Sequence, residues 1–283
     1  MIETEFLAHL QRMSLIINKR VTSNYAGQRE SIHTGQGLLF KDHGLYTPGD
    51  DYKKIDWKVY GRTDKLHIKR YEAERNLTVH IILDYSGSMN YGNKDVKKYE
   101  YASMLGIGFA YMAMKNNERF VLSTFAEKLE RFTPKRGKKQ LVAILDYLRT
   151  KKPEGKSKFE QSLQNYAKTI KTRSLIVVIS DFLYDLEEIK RSLFGFKNHE
   201  IILIQVLDEV ETTMKLKGEF KLKDLETKTF MKASLNPFAR KNYLDKLQEH
   251  NKRIKHLANQ MGATFYSVTT DKPIFNTFFE VLQ

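Results

Sequence analysis

Three runs of nearly unbroken aliphatic residues constrain this chain more than any other feature. Residues 77–83 (Leu-Thr-Val-His-Ile-Ile-Leu), 174–180 (Ser-Leu-Ile-Val-Val-Ile-Ser) and 200–207 (Glu-Ile-Ile-Leu-Ile-Gln-Val-Leu) have the length of strands. They do not alternate apolar with polar residues, so both faces of each strand must be covered. Longer segments of helical character separate them, at 97–115, 138–148, 158–172 and 186–194. A further strand is expected at 119–125, with a short edge strand beside it at 128–132. Strand–helix repetition of this kind predicts the α/β class, with a doubly wound, mostly parallel sheet. The rhythm breaks at 218–234, where two short β-rich runs flank a polar turn and predict a β-hairpin insertion. A basic helix at 242–261, a strand at 263–268 and a helix at 274–282 close the chain. The first 75 residues are less regular: a helix over 3–17, then Gly- and charge-rich extended chain. The expected organisation is an N-terminal segment, 1–75, followed by an α/β domain, 76–283.

Composition narrows the function. Hydrophobic residues are 41% of the 283 and aromatics 12%, which excludes global disorder. The absence of cysteine excludes disulfides, thiol catalysis, iron–sulfur clusters and Cys-based zinc sites. The longest uncharged run, 101–114, has 14 residues, fewer than the ~20 needed to cross a bilayer. The acidic start Met1-Ile2-Glu3-Thr4-Glu5 lacks the features of a signal peptide. A soluble, cytoplasmic protein without a transmembrane segment is the expectation. The net charge of +14 is concentrated at 128–158, with eleven Lys/Arg against three Asp/Glu, and at 240–255, with six against two. Such stretches are usually solvated helix faces and loops. No zinc-finger, RNP or KH signature accompanies them, so nucleic acid is the weaker reading.

Oxygen-bearing side chains follow the aliphatic strands, where open parallel sheets bind ligands. Asp84, Ser86 and Ser88 come directly after the first run, and Asp181 directly after the second. Ser157 stands on the loop that opens the helix between them. Carboxylates and hydroxyls on separate loops are the donor set of a hard divalent cation, Mg²⁺ or Mn²⁺. Neutral hydroxyl ligands leave the cation most of its charge, and with it an appetite for an outside carboxylate. A lone D-x-S-x-S could equally be an Asx turn before a helix cap; its position after a buried strand is what favours a metal.

Asp84-x-Ser86-x-Ser88 with Asp181 resembles the metal-ion-dependent adhesion site (MIDAS) of von Willebrand factor A domains. Upstream, Gly35-x-Gly37-x-x-Phe40, Tyr46-x-Pro48-Gly49-Asp50-Asp51, Ile55-Asp56-Trp57, Arg62 and Glu72-x-Glu74-Arg75 resemble the domain of unknown function 58 (DUF58) family. The resemblance covers roughly residues 25 to 235. It implies a von Willebrand factor A-like fold with a metal above the sheet, no catalytic activity, and a chaperone-like or assembly role with a MoxR-type AAA+ ATPase. Ser157 stands where the A-domain pattern has Thr, and Lys53 and Lys54 stand where the family often has Arg. Arg and Lys are not equivalent in bidentate contacts.

Other motifs are decoys. Gly155-Lys156-Ser157 is not a phosphate loop, because Thr150 occupies the first Gly position and Pro153 lies within it. Gly106-x-Gly108 lies in a helix, where small residues permit close packing. Trp57 is expected to anchor the N-terminal segment by burying its ring. Asp50 and Asp51 are expected to shape a turn, with an acid of this group paired to Arg62 or a lysine. The expected function is a non-enzymatic, metal-dependent protein-interaction module, with a partner Glu or Asp completing the metal shell. The rivals are a metal-dependent phosphoester hydrolase using Asp84 and Asp181, and an electrostatic nucleic-acid binder.

Overall fold

The computed structural model of the chain describes residues 39–72, 77–92, 96–214, 218–223, 225–226 and 229–282. They fall within two compact units, one inside 19–76 and the other containing 77–283. The helix expected at 3–17 lies outside the described residues.

The first unit is more ordered than its sequence suggests. Strands β1 (Leu39–Leu45) and β2 (His67–Glu72) pair antiparallel. Between them lie a 3-10 turn, Tyr52–Lys54, and a short helix, α1 (Trp57–Thr63). Carboxylates shape the connection. Asp50 accepts from the backbone N–H and hydroxyl of Thr47, and Asp51 accepts from Lys53 N–H. Asp56 caps α1 through Lys58 N–H and pairs with His43 Nε2 at 3.0 Å and Lys69 Nζ at 3.5 Å. The His43 hydrogen bond outweighs partial burial and lowers the Asp56 pKa to about 2. Lys69 is a lysine partner of the kind expected, and His43 is an additional one that was not. Trp57 does not bury its ring: it is 65% exposed and meets Tyr60 edge-on. A seven-residue helix that ends at the left-handed Asp64 is too short to carry an apolar stripe.

The second unit holds a six-stranded sheet of order β10-β7-β6-β3-β4-β5. The strands are β3 (Thr78–Asp84), β4 (Arg119–Phe125), β5 (Leu129–Arg131), β6 (Leu175–Ser180), β7 (Glu200–Leu207) and β10 (Ala263–Thr269). All pairings are parallel except β4 with β5. Every residue of β3 and β6 is buried, as unbroken aliphatic runs require. One face of the sheet packs Ile82, Ile176, Val178 and Leu203 against Phe159, Leu163, Ile189, Leu193 and Ile254. These come from α4 (Phe159–Ala167), α5 (Leu186–Phe194) and α7 (Pro237–Gln260). On the other face Ile81 and Leu83 lie against Gly106 of α2 (Lys98–Lys115). The remaining helices are α3 (Lys138–Thr150), α6 (Glu209–Thr213) and α8 (Ile274–Leu282). The expected insertion is an antiparallel hairpin, β8 (Gly218–Lys223) with β9 (Phe230–Leu235). Among the described residues, no helix is long and apolar enough to cross a membrane.

Helix boundaries differ from expectation by more than two residues in two places. α4 stops at Ala167 rather than continuing to 172, because Lys168–Ile170 closes as tight turns. α7 begins five residues early: Asn236 Oδ1 accepts Ala239 N–H, and Pro237 takes a first-turn position that needs no N–H donor.

Chain order fixes where a ligand can sit. From β3 the chain crosses to β4 on one side, and later returns to place β6 on the other. The direction of winding therefore reverses between β3 and β6, which opens a crevice at their carboxyl ends. Asp84 and Asp181 stand at those two ends.

Two predictions arise from this packing. A Cβ on Gly108 would lie 1.8 Å from Phe278 Cζ, so Gly108→Ala should lower stability by ~1–3 kcal/mol in urea unfolding, and Phe278→Leu should recover part of the loss. His80 is buried on β3 with Nδ1 2.9 Å from Tyr166 OH. Burial, helped by His199 and Arg131, lowers its pKa from 6.5 to about 4. The unfolded chain therefore takes up the proton first. Stability should be constant above the unfolded value and fall as pH drops from 6.5 to about 4, by on the order of 3 kcal/mol. His80→Gln should flatten that slope in pH-dependent unfolding.

Candidate metal centre

The loop after β3 is held by its own polar groups. Asp84 Oδ1 accepts Ser86 N–H at 2.9 Å, an Asx turn that leads into the 3-10 turn Gly87–Asn90. Gly87 N–H donates to Gly155 O at 2.9 Å, and Glu154 N–H donates to Tyr85 O at 3.0 Å. These two bonds tie the β3 loop to the loop that carries Ser157. After β6 the chain turns through Phe182, whose φ of 50° is unusual for a side chain of that bulk. Gln205 Nε2 donates to Asp181 O at 2.9 Å and fixes the turn from the neighbouring strand.

Two hydroxyl relays result. Ser86 Oγ lies 3.1 Å from Ser88 Oγ, and Ser88 donates to Asp181 Oδ2 at 2.8 Å, so Ser86 is the donor to Ser88. Tyr184 OH donates to Asp84 Oδ2 at 2.6 Å and lies 2.7 Å from Ser157 Oγ, so Ser157 is the donor to Tyr184. Ser180 Oγ adds a second donor to Asp84 Oδ2 at 2.7 Å. The Tyr184 ring is set for this by stacking on Phe159 at 4.3 Å. Asp84, Ser86, Ser88 and Asp181 thus form one hydrogen-bonded group, while Ser157 joins it through Tyr184.

Charge is unevenly met within this group. Asp84 is fully buried and Asp181 is 2% exposed. Burial, reinforced by Asp181, raises the Asp84 pKa, against the lowering effect of its three hydrogen bonds. Lys98 Nζ, 1% exposed, lies 3.1 Å from Asp181 Oδ2 and 2.9 Å from Glu211 Oε1. Burial opposes the ammonium, and the two carboxylates overcome it and raise its pKa. Glu211 is itself positioned by a capping box with Asp208 at the start of α6. Among the described residues no cationic side chain pairs with Asp84. Burial and the Asp84 and Asp181 charges hold the Tyr184 hydroxyl well above its ordinary pKa, so it remains a donor.

The group fits a hard cation chemically. It offers two carboxylates and the hydroxyls of Ser86 and Ser88, all oxygen, with one carboxylate lacking a counter-charge. Clusters of three or more His, Cys, Asp or Glu suited to a metal are absent among the described residues, so any ion here depends on the serines. Sequence reasoning selected Asp84, Ser86, Ser88, Asp181 and Ser157. It missed Tyr184, Ser180, Lys98 and Glu211. A lysine at the first turn of a buried helix was the available signal for Lys98, because it needs an acidic partner.

A family model described as "Protein of unknown function DUF58" matches residues 42–253, and the chain belongs to this family. The uncharacterized protein Rv1480 of Mycobacterium tuberculosis is 22% identical over 274 residues, covering 95% of this chain and 86% of that protein. Among solved structures, the conserved hypothetical protein BatB from Bacteroides thetaiotaomicron is 14% identical with a TM-score of 0.46, covering 73% of this chain and 97% of BatB. The SpRpn10 VWA domain is 14% identical with a TM-score of 0.45, covering 72% and 93%. The architecture described above rests on the strand order and register of this chain itself.

Lys98 should matter most for stability. Lys98→Met leaves Asp181 and Glu211 facing each other's charge in a buried site, and should cost ~3–5 kcal/mol in urea unfolding. Glu211→Gln in the same chain should restore part of it.

Proposed function

We propose that this DUF58 protein is a non-enzymatic, metal-dependent protein-interaction module. The supporting observation is a buried Asp84, without a cationic partner among the described residues, joined by hydrogen bonds to a hydroxyl and carboxylate group at the switch point of a parallel sheet. Asp84, Ser86, Ser88 and Asp181 would hold Mg²⁺ or Mn²⁺, directly or through water, with Ser157 contributing from the third loop. The ion would supply a positive charge only partly neutralised by this shell, suited to a Glu or Asp of a protein partner. The chain's own residues orient the donors: Tyr184 and Ser180 fix Asp84, Lys98 fixes Asp181, and Gln205 fixes the turn after β6.

Family membership supports a MoxR-type AAA+ ATPase as the partner, in cytoplasmic complex assembly. A hydrolytic role is less well supported, because one of the two carboxylates is already engaged by Lys98. The basic stretch 128–158 carries no zinc-finger, RNP or KH signature, which weakens the case for nucleic acid.

Isothermal titration with Mg²⁺ or Mn²⁺ should show one site in the wild type and none in Asp84→Ala; equal binding by the two would refute the metal reading. A MoxR-type ATPase retained on the immobilised chain in Mg²⁺ should be released by EDTA.

A further inference from the structure

The short helix of the first unit is held by its ends rather than by packing. Asp56 caps the start of α1, the left-handed Asp64 ends it, and none of its residues is buried. Its exposed side chains are nonetheless sorted. At about 3.6 residues per turn, Trp57 and Tyr60 fall on one flank of the outward face and Lys58 and Arg62 on the other, with Gly61 between them. The Trp57 and Tyr60 rings meet edge-on at 6.1 Å, and both are exposed. A Cβ on Gly61 would meet nothing within 4 Å, so the middle of that face is open. Just before the helix, Tyr52 is 67% exposed and is followed by the exposed Lys53. Among the described residues, Lys53, Lys58 and Arg62 hold no ion pair. The nearby carboxylate of Asp56 is already committed to His43 and Lys69.

We infer that this face of the first unit is a docking surface for an anionic lipid bilayer, on which the protein rests without spanning it. Large aromatic side chains gathered at one exposed place mark a surface kept for a partner. Trp and Tyr are also the residues whose rings, apolar in body and polar at the tip, suit the headgroup layer. Charge complementarity names the partner. The uncommitted charges beside the rings are all positive, and the long stems of Lys58 and Arg62 let their heads reach lipid phosphates while the rings enter the boundary. Lysine is depleted from protein–protein interfaces, so aromatic rings mixed with Lys53 and Lys58 fit a lipid surface better than a protein one. A helix of seven residues is far too short to cross the bilayer, so the contact is peripheral. Nothing in this surface depends on a metal ion.

Trp57 is the single tryptophan of the chain, so its fluorescence reports on this surface alone. The test mixes the full chain with vesicles of phosphatidylcholine and phosphatidylglycerol, or of phosphatidylcholine alone, and follows Trp57 emission and co-sedimentation. The mixed vesicles should sediment the protein and shift Trp57 emission to the blue, and the neutral ones should do neither. Lys58→Gln with Arg62→Gln should weaken binding roughly thirtyfold, and Trp57→Ser, read by sedimentation, about tenfold. All three side chains are exposed, so the circular dichroism of these variants should match the wild type. Lys135→Gln with Lys138→Gln and Lys139→Gln removes three exposed charges from the second unit and should leave vesicle binding as it was. Failure to sediment with the mixed vesicles would overturn the proposal. So would sedimentation that leaves Trp57 emission unchanged, or that is lost in the second-unit variant instead of the first-unit one. A blue shift caused by a polyglutamate peptide but not by vesicles would assign the face to an acidic protein and overturn it equally.

Discussion

Two carboxylates buried beside each other at the ends of adjacent parallel strands set the terms for the whole α/β unit. Neither is open to solvent, and burial together with the Asp181 charge raises the cost of ionising Asp84. The chain answers asymmetrically. Lys98 reaches from α2 to Asp181 and Glu211, forming a buried charge triad. Among the described residues Asp84 receives only neutral donors, the hydroxyls of Ser180 and Tyr184 and the N–H of Ser86. Hydrogen bonds from neutral groups lower the energy of a buried carboxylate without supplying its counter-charge. That residual imbalance is the physical basis for expecting a cation.

The location of this imbalance follows from the sheet. β3 and β6 are buried along their whole length, so their interiors accept few groups that need water or a charge partner. Polar chemistry is displaced to the strand ends, and the reversal of winding between β3 and β6 leaves room there. The same loops are bonded to one another through Gly87 to Gly155 and Glu154 to Tyr85, so the donors are held by backbone contacts as well as by side chains. A site built this way is pre-arranged for its ligand rather than assembled by it.

The parts of this molecule that were legible in the sequence are those governed by local patterns. The aliphatic strands, the edge pair, the hairpin and the ends of α5 and α8 follow from periodicity and turn residues. Asp84, Ser86 and Ser88 were legible because one short loop carries them, and Asp181 because it ends an aliphatic run. Lys98 and Glu211 lie 113 positions apart, and Lys98 and Asp181 lie 83 apart. No local spacing encodes such pairings; they exist only once α2 has packed on the sheet. Tyr184 was hidden for a different reason. It is three residues from Asp181 but acts on Asp84, so its role depends on which strands become neighbours. The first unit was underread because its organisation comes from carboxylate caps at Asp50, Asp51 and Asp56 rather than from apolar periodicity.

The lysine might be thought to make a metal superfluous, but its geometry argues otherwise. An ammonium is a point charge with three donors, and here at least two are directed to Asp181 and Glu211. Asp84 itself is governed chiefly by burial, the neighbouring Asp181 charge and hydrogen bonds from Tyr184, Ser180 and Ser86. Lys98 therefore pairs with Asp181 and Glu211 rather than with Asp84. A divalent ion beside Ser86 and Ser88 would address Asp84, which Lys98 does not pair with, through oxygen ligands an ammonium cannot replace. On this argument the lysine and the metal are complementary: the first keeps the apo site from flying apart electrostatically, and the second draws its affinity from the charge the first leaves unmet.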